Sequence, residues 1–336
     1  MHSLIFFSLL FPFATPSPIT PPKPTLIQLF SFPYSNPLFL ENLLLLPDNR
    51  LLLSSLGSPN GSLYLLDPHQ KPSPQPIIIT TFPNTTAQLG IAPLGNHHYA
   101  ISTCILDNLS FFPNTSAIRI ISLAPHSTKA TQISVIPVPD TLILNGMISL
   151  PKHPEILLIA GSAEGRILRV NTVTKRTEII IADELFTFGN RTDFPFGING
   201  LRIRERYLYF TNTAKGLFGR FEINEYGDKV GQIEVLYELE GETGLENAFD
   251  DFEFDKEGNA YVGLHADRIM RLRKGRKGKW EGEVIIDGGD GDGDGKMRLK
   301  GPTAVVVGKG GKELFVTTSG QVDGIREGGQ VVRVVL

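Results

Sequence analysis

Residues 199–213 read Asn-Gly-Leu-Arg-Ile-Arg-Glu-Arg-Tyr-Leu-Tyr-Phe-Thr-Asn-Thr. A polar corner, Asn199-Gly200, opens a short apolar alternation, and a second, aromatic strand after a charged turn ends on Thr211-Asn212. Alternation of period two marks strands, because successive side chains point to opposite faces. The phrase recurs. Asn145-Gly146 opens Met147 to Leu150, then a Pro151–Pro154 turn and the strand Ile156 to Ala160. Asp250-Asp251 opens Phe252 to Phe254, then a Lys256–Asn259 turn and the strand Ala260 to Gly263.

Working outward, Glu41-Asn42 opens Leu43 to Leu46, with further strands at Leu51 to Ser54, Leu63 to Leu66 and Ile77 to Thr80. A less regular unit follows at Leu89 to Ala92, Tyr99 to Thr103, Ala117 to Ser122 and Gln132 to Ile136. The next three units take third strands at Arg166 to Val170, Phe218 to Ile223 and Arg268 to Arg271. Their fourth strands are Thr177 to Ile181, Glu234 to Tyr237 and Glu283 to Ile286. The last unit has only Thr303 to Val307, Glu313 to Thr317 and Gln330 to Val335. Corner spacings are 104 residues from Glu41 to Asn145, then 54, 51 and 53 to Thr303. Four short strands on a period near 50 predict an all-β, six-bladed β-propeller. The lone strand Leu26 to Phe32 supplies the missing strand of the last blade and closes the ring, which also removes exposed edges. No amphipathic helix is evident, and residues 25–336 read as one domain.

Charge is unevenly placed along the 336 residues: residues 1–140 hold five of 32 basic and five of 35 acidic side chains. That weakly charged half carries four glycosylation sequons, at Asn60, Asn84, Asn108 and Asn114, and a fifth lies at Asn190. Leu4 to Phe13 is an apolar run of signal-peptide length, and with the Pro-rich stretch behind it residues 1–20 read as a leader. The run is too short for a membrane span, which needs about 20 apolar residues. A secreted, glycosylated protein is expected, working as a monomer on a small molecule. Net charge is −3, and nucleic-acid binding, which wants a basic face, is not indicated. Cys104, the single cysteine, allows no intrachain disulfide and reads as a small buried hydrophobe. Asp290, Asp292 and Asp294 resemble the start of a calcium loop, but Gly301 stands where its closing Glu belongs. The basic run Arg271 to Lys279 reads as a solvated hairpin turn.

In a propeller the first strand of each blade lines the channel, so Glu41, Asn145, Asn199 and Asp250 converge near one mouth. Oxygen side chains gathered in this way suit a hard divalent cation such as Ca²⁺. Asn and Asp also simply favour tight turns, and both readings stay open on spacing alone.

These residues resemble the senescence-marker-protein/gluconolactonase-like six-bladed propellers. The resemblance implies a metal held by Glu41, Asn199 and Asp250, with Asn145 facing substrate. It also implies departures: Ile143 stands where lactonase members carry a sugar-binding Arg, and Asp251 where they carry Gly. Phe194-Pro-Phe-Gly-Ile-Asn-Gly200, Leu208–Asn212, Asp250–Asp255 and Gly301-Pro-Thr-Ala304 are similar to a fungal, secreted branch that includes hetero-Diels–Alderases. That likeness implies cycloaddition of a quinone methide to a terpene alkene in secondary metabolism, with no cofactor required. Such a step needs orientation and carbonyl polarisation rather than a nucleophile. Asn199, Asn212 and His265 would then act as catalytic hydrogen-bond donors, and Asn145, Phe194, Phe196, Phe249 and Thr303 would bind substrate. The alternatives are a metal-dependent lactonase and a non-catalytic binding propeller.

Overall fold

A computed structural model describes residues 23–57, 61–107, 110–191, 195–288, 297–322 and 324–336. Apart from the short 3₁₀ turn Glu184–Phe186, capped by the Asp183 carboxylate, the regular structure of the described residues is antiparallel sheet.

The strands fall into sets of four. The first set is Phe39–Leu45, Leu51–Leu56, Ser62–Leu66 and Ile77–Thr81; the second is Ala87–Gly95, His98–Cys104, Ala117–Ser122 and Thr131–Pro137. A single register pair, Leu56 with Ala87, joins these two into one larger sheet. The third set is Leu144–Ser149, Ile156–Gly161, Arg166–Asn171 and Thr177–Ala182. The fourth is Ile198–Arg204, Tyr207–Asn212, Leu217–Glu222 and Glu234–Glu238. The fifth is Phe249–Phe254, Ala260–Leu264, Arg268–Lys274 and Trp280–Ile286. The sixth, Pro302–Val307, Glu313–Thr318 and Gln330–Val335, takes Thr25–Ser31 as its outer strand. Those boundaries match the sequence expectation to within a few residues.

Period-two patterning decides how the sets stack. Leu52, Leu63 and Leu65 bury one face of the first set against Ile91, Tyr99 and Ile101 of the second. The alternate residues Leu51, Leu53, Tyr64 and Leu66 bury its other face against Ala304, Phe315 and Val331 of the sixth. A sheet covered on both sides has no polar face, so these strands read as near-continuous apolar runs. Similar clusters separate each later set from the next. The first strands lie side by side in chain order, and that of the sixth neighbours that of the first.

The polar corners differ from expectation in one respect. They are not turns before the strands but β-bulges inside them. Ile198 pairs with Asn212 and Leu201 with Phe210, leaving Asn199 and Gly200 opposite Thr211 alone. The same irregularity falls at 41–42, 89–90, 145–146, 250–251 and at Thr303. A bulge puts an extra residue on one strand and re-aims its side chains, as happens often beside functional sites.

Candidate functional site

Hydroxyls hold the bulges in place. Thr211 Oγ1 accepts from Gly200 N (2.9 Å) and donates to the Asp250 carbonyl of the next set (2.9 Å). Ser54 donates to Leu89 O (2.7 Å), Ser102 to Leu144 O (2.7 Å), and Ser162 to Ile198 O. Thr303 donates to Leu40 O (2.8 Å), stitching the sixth set to the first. Buried carbonyls at a bulge lose their ladder partners, and these side chains satisfy them.

The glycines have a separate task. A Cβ on Gly90 would lie 2.3 Å from Asn145 O, and one on Gly146 2.4 Å from Asn199 O and 2.8 Å from Gly200 Cα. A bare backbone is therefore required where adjacent inner strands approach most closely.

On this frame sits a buried acidic cluster. Asn199 Nδ2 donates to Asp250 Oδ1 (2.8 Å) and to Thr213 Oγ1 (2.9 Å), and His265 Nε2 contacts Asp250 Oδ2 at 3.0 Å. Asn199 Oδ1 is buried and has no hydrogen-bond partner. Burial, with the nearby charges of Asp250 and Asp251, drives the Glu41 carboxyl well above its ordinary range. Burial also raises Asp250, against the opposing pull of His265 and Asn199.

In the first and fifth sets the second bulge residue, Asn42 or Asp251, enters a separate network. Asn42 Nδ2 donates to Asp251 Oδ2 (3.0 Å), joining the first set to the fifth. The Arg202 guanidinium reaches Asp251 Oδ1 (3.1 Å) and Glu253 Oε2 (3.0 Å). Sequence reasoning missed Asn42 and Arg202 as partners and treated Asp251 only as a departure. A signal was available: Arg202 and Glu253 are opposite charges separated by 51 residues, one repeat.

The other expected site residues are scattered. Asn145 is buried at the equivalent bulge of the third set. Asn212 donates both amide hydrogens to the Leu185 and Thr187 carbonyls (2.9 Å each) and accepts from Lys215 N (3.0 Å). It therefore fastens a loop, which corrects its expected role as a catalytic donor. Thr303 is fully buried and spends its hydroxyl on Leu40 O and Thr317. Phe249 is fully buried among Tyr209, Phe218 and Leu264, so it packs the core rather than the mouth. Phe196 is half-buried and meets the Phe111 ring edge-on at 6.2 Å. Phe194, Asn60, Asn108 and the calcium-loop-like aspartates lie outside the described residues. Asn84, Asn114 and Asn190 stand exposed, the first two in the left-handed region that turns favour. Cys104 is a buried strand residue as expected, its thiol pushed up to about 12 by burial and the nearby Glu41 charge.

The donor set can be tested against a cation. Among the described residues no three His, Cys, Asp or Glu side chains form a metal-binding group. With the Asn199 oxygen counted, two buried carboxylates and an unpartnered amide oxygen suit a hard divalent ion. The fit rests on one uncompensated donor, Asn199 Oδ1, beside two buried carboxylates; the Asp250 oxygens already accept from Asn199 and face His265.

No family model matches the chain, and no curated protein matches it in sequence. Solved structures do. The chain is similar to a luciferin-regenerating enzyme at 16% identity and a TM-score of 0.62, covering 93% of this chain and 95% of that one. It is similar to a gluconolactonase from Xanthomonas campestris, at 10% identity and TM-score 0.57 over 93% and 89% of the two chains. A calcium-binding regucalcin from Agrobacterium tumefaciens gives 14% identity and TM-score 0.56 over 92% of both. At these identities the likeness establishes the architecture alone: the chain has a β-propeller fold.

Proposed function

We propose that the chain is a closed six-bladed propeller whose acidic mouth hydrolyses a lactone or related cyclic ester. The pairing of Thr25–Ser31 with Gln330–Val335 supports the closure. The observation that carries the chemistry is the buried Asn199 Oδ1, unpartnered and fixed beside Asp250. Glu41, Asn199 and Asp250 would hold a divalent cation, which when bound supplies polarisation of the ester carbonyl.

The remaining chemistry falls to the protein. With its Nε2–H donated to Asp250 Oδ2, His265 keeps the Nδ1 lone pair to accept a proton from water. That water adds to the carbonyl carbon, the ring C–O bond breaks, and the imidazolium returns the proton to the leaving alkoxide. Asp250 orients His265 and stabilises it while charged. Asn212 anchors the loop behind the site, and Asn145 faces the substrate.

Cycloaddition remains the second reading, supported by the aromatic pair Phe111 and Phe196. The lactonase reading stands first because buried carboxylates, which a pericyclic step does not need, gather at the mouth. Exposed sequons at Asn84, Asn114 and Asn190 support a secreted, glycosylated protein.

The test is lactone turnover before and after chelation. Hydrolysis lost with EDTA, regained with Ca²⁺ and abolished in His265→Ala supports the proposal. Turnover indifferent to both treatments overturns it.

A further inference from the structure

The ends of the first two strand sets that lie away from the bulges enclose a cavity of about 260 Å³. Its walls come from residues 46–50 of the first set, the turn 96–97 of the second, and residues 123–126 after the second set's third strand. Six residues separate Glu41 from Pro47, about 20 Å of extended chain, so the cavity is a separate place from the acidic cluster.

Leu46, Leu123 and the Tyr99 ring form its buried floor, and Pro47, Ala124 and Pro125 add apolar wall. Hydrogen bonds tie these pieces together. Arg50 Nη1 donates to Ser127 O (2.6 Å), Leu123 N to His97 O (2.9 Å), and Lys309 Nζ from the sixth set's turn to Pro47 O.

Polar groups gather around one carboxylate. Asp48 Oδ2 accepts from Arg50 Nε (2.9 Å), Arg50 Nη2 (2.7 Å) and His126 N (3.1 Å). Among the described residues Oδ1 has only Arg50 N, at 3.3 Å, which leaves it room for a further donor. Tyr99 is 5% exposed, lines the cavity, and finds no hydrogen-bond partner for its hydroxyl among the described residues. Burial raises its phenol above the ordinary value, Asp48 adds to the rise and Arg50 opposes it. The hydroxyl therefore lies beside that ion pair and keeps its proton. A buried hydroxyl without a partner is rare enough to call for one. The side chains of His97 and His126 stand exposed at the rim.

These features define a ligand. A cavity of about 150 Å³ accepts benzene, so this larger one takes a single substituted ring. The phenol and imidazole faces around it suit an aromatic ring. Arg50 already matches the Asp48 charge, so a charged ligand would find no counter-charge to offset its lost hydration. One free acceptor and one free hydroxyl satisfy one ligand hydroxyl, which donates to Asp48 Oδ1 and accepts from Tyr99. A polyol would leave its other hydroxyls against apolar wall.

We propose that this cavity binds a small neutral phenol, its ring on the Leu46–Leu123 floor and its hydroxyl between Asp48 and Tyr99, independently of the reaction at the bulges.

The experiment titrates the full chain with phenol, p-cresol, toluene, benzoate and methyl α-D-glucopyranoside by calorimetry, with amide shifts in NMR spectra locating each ligand. Phenol and p-cresol should bind one to one and shift the amides of Leu123 and His126. Phenol should bind at least about fivefold more tightly than its isostere toluene, the worth of one buried hydrogen bond. Tyr99→Phe removes a hydroxyl that no other group in the fold uses, and should erase that preference. Ala124→Trp, which fills the cavity from its exposed wall, should abolish binding of both. Preference for benzoate or the glucoside, a phenol preference unchanged in Tyr99→Phe, or no saturation by millimolar phenol overturns the proposal. The ligand series on the wild-type chain decides this even if a variant fails to fold.

Discussion

Arg202→Leu is the most demanding test of the network that joins the first strand set to the fifth. Asp251 is 3% exposed at its side chain, and Arg202 12%. The substitution leaves the Asp251 carboxylate with Asn42 Nδ2 (3.0 Å) and its neighbour Phe252 N–H (2.8 Å) as hydrogen-bond donors. Glu253 is 31% exposed and can turn to water, so the stranded charge is Asp251. Removing one partner of a buried pair costs about 3–5 kcal/mol, and two surviving hydrogen bonds place this case near 3. Neutralising the stranded charge should recover most of the loss. Asp251→Asn alone should cost about 1 kcal/mol, because Glu253 still pairs Arg202, and Arg202→Leu/Asp251→Asn is expected within about 1 kcal/mol of wild type, giving a coupling of roughly 3 kcal/mol. Equilibrium urea unfolding followed by Trp280 fluorescence at neutral pH measures all three variants. An Arg202→Leu loss below about 1 kcal/mol, or strict additivity in the double, would refute the reasoning.

Other consequences are local. Thr211→Val keeps the shape but strands the Gly200 N–H and the Asp250 carbonyl, and should cost about 2–3 kcal/mol in the same assay. For Asp48, burial alone would raise the pKa, but the Arg50 guanidinium (2.7 and 2.9 Å) and the His126 and Arg50 N–H groups lower it to about 2. The folded value lies below the unfolded one, near 3.9, so the stabilisation is present above that pH and lost as pH falls through 2. Asp48→Asn should therefore cost at most about 2.6 kcal/mol at neutral pH and close to nothing at about pH 1, read from the pH dependence of unfolding. Millimolar Ca²⁺ should raise the melting temperature of the wild-type chain but not that of Asn199→Ala or Glu41→Gln. An equal rise in all three would place any cation elsewhere.

The repeat of about 50 residues, the four strands of each unit and the pairing of the two chain ends were legible because strand patterning and turn chemistry are local. The polar corners were legible as positions, with Asn199 and Asp250 one repeat apart, but their bulge geometry was not, and the Arg202–Glu253 pair at the same 51-residue spacing was missed. Phe249 was misassigned because it shares its flank with the polar corner, and period two sends neighbouring side chains to opposite faces. Thr303 and Asn212 were misassigned because a polar side chain in a repeat also serves the backbone beside it.

What the sequence alone determined is the list of oxygens at the corners and the order in which the strands that carry them follow one another. The tertiary structure decided which of them meet. Asn42 and Asp251 are 209 residues apart, and Phe111 and Phe196 belong to different connections. Those contacts depend on the accumulated twist of several sheets and on bulges that turn one residue inward and the next across the channel. Such rotations add up over the whole molecule, and no local stretch encodes their sum.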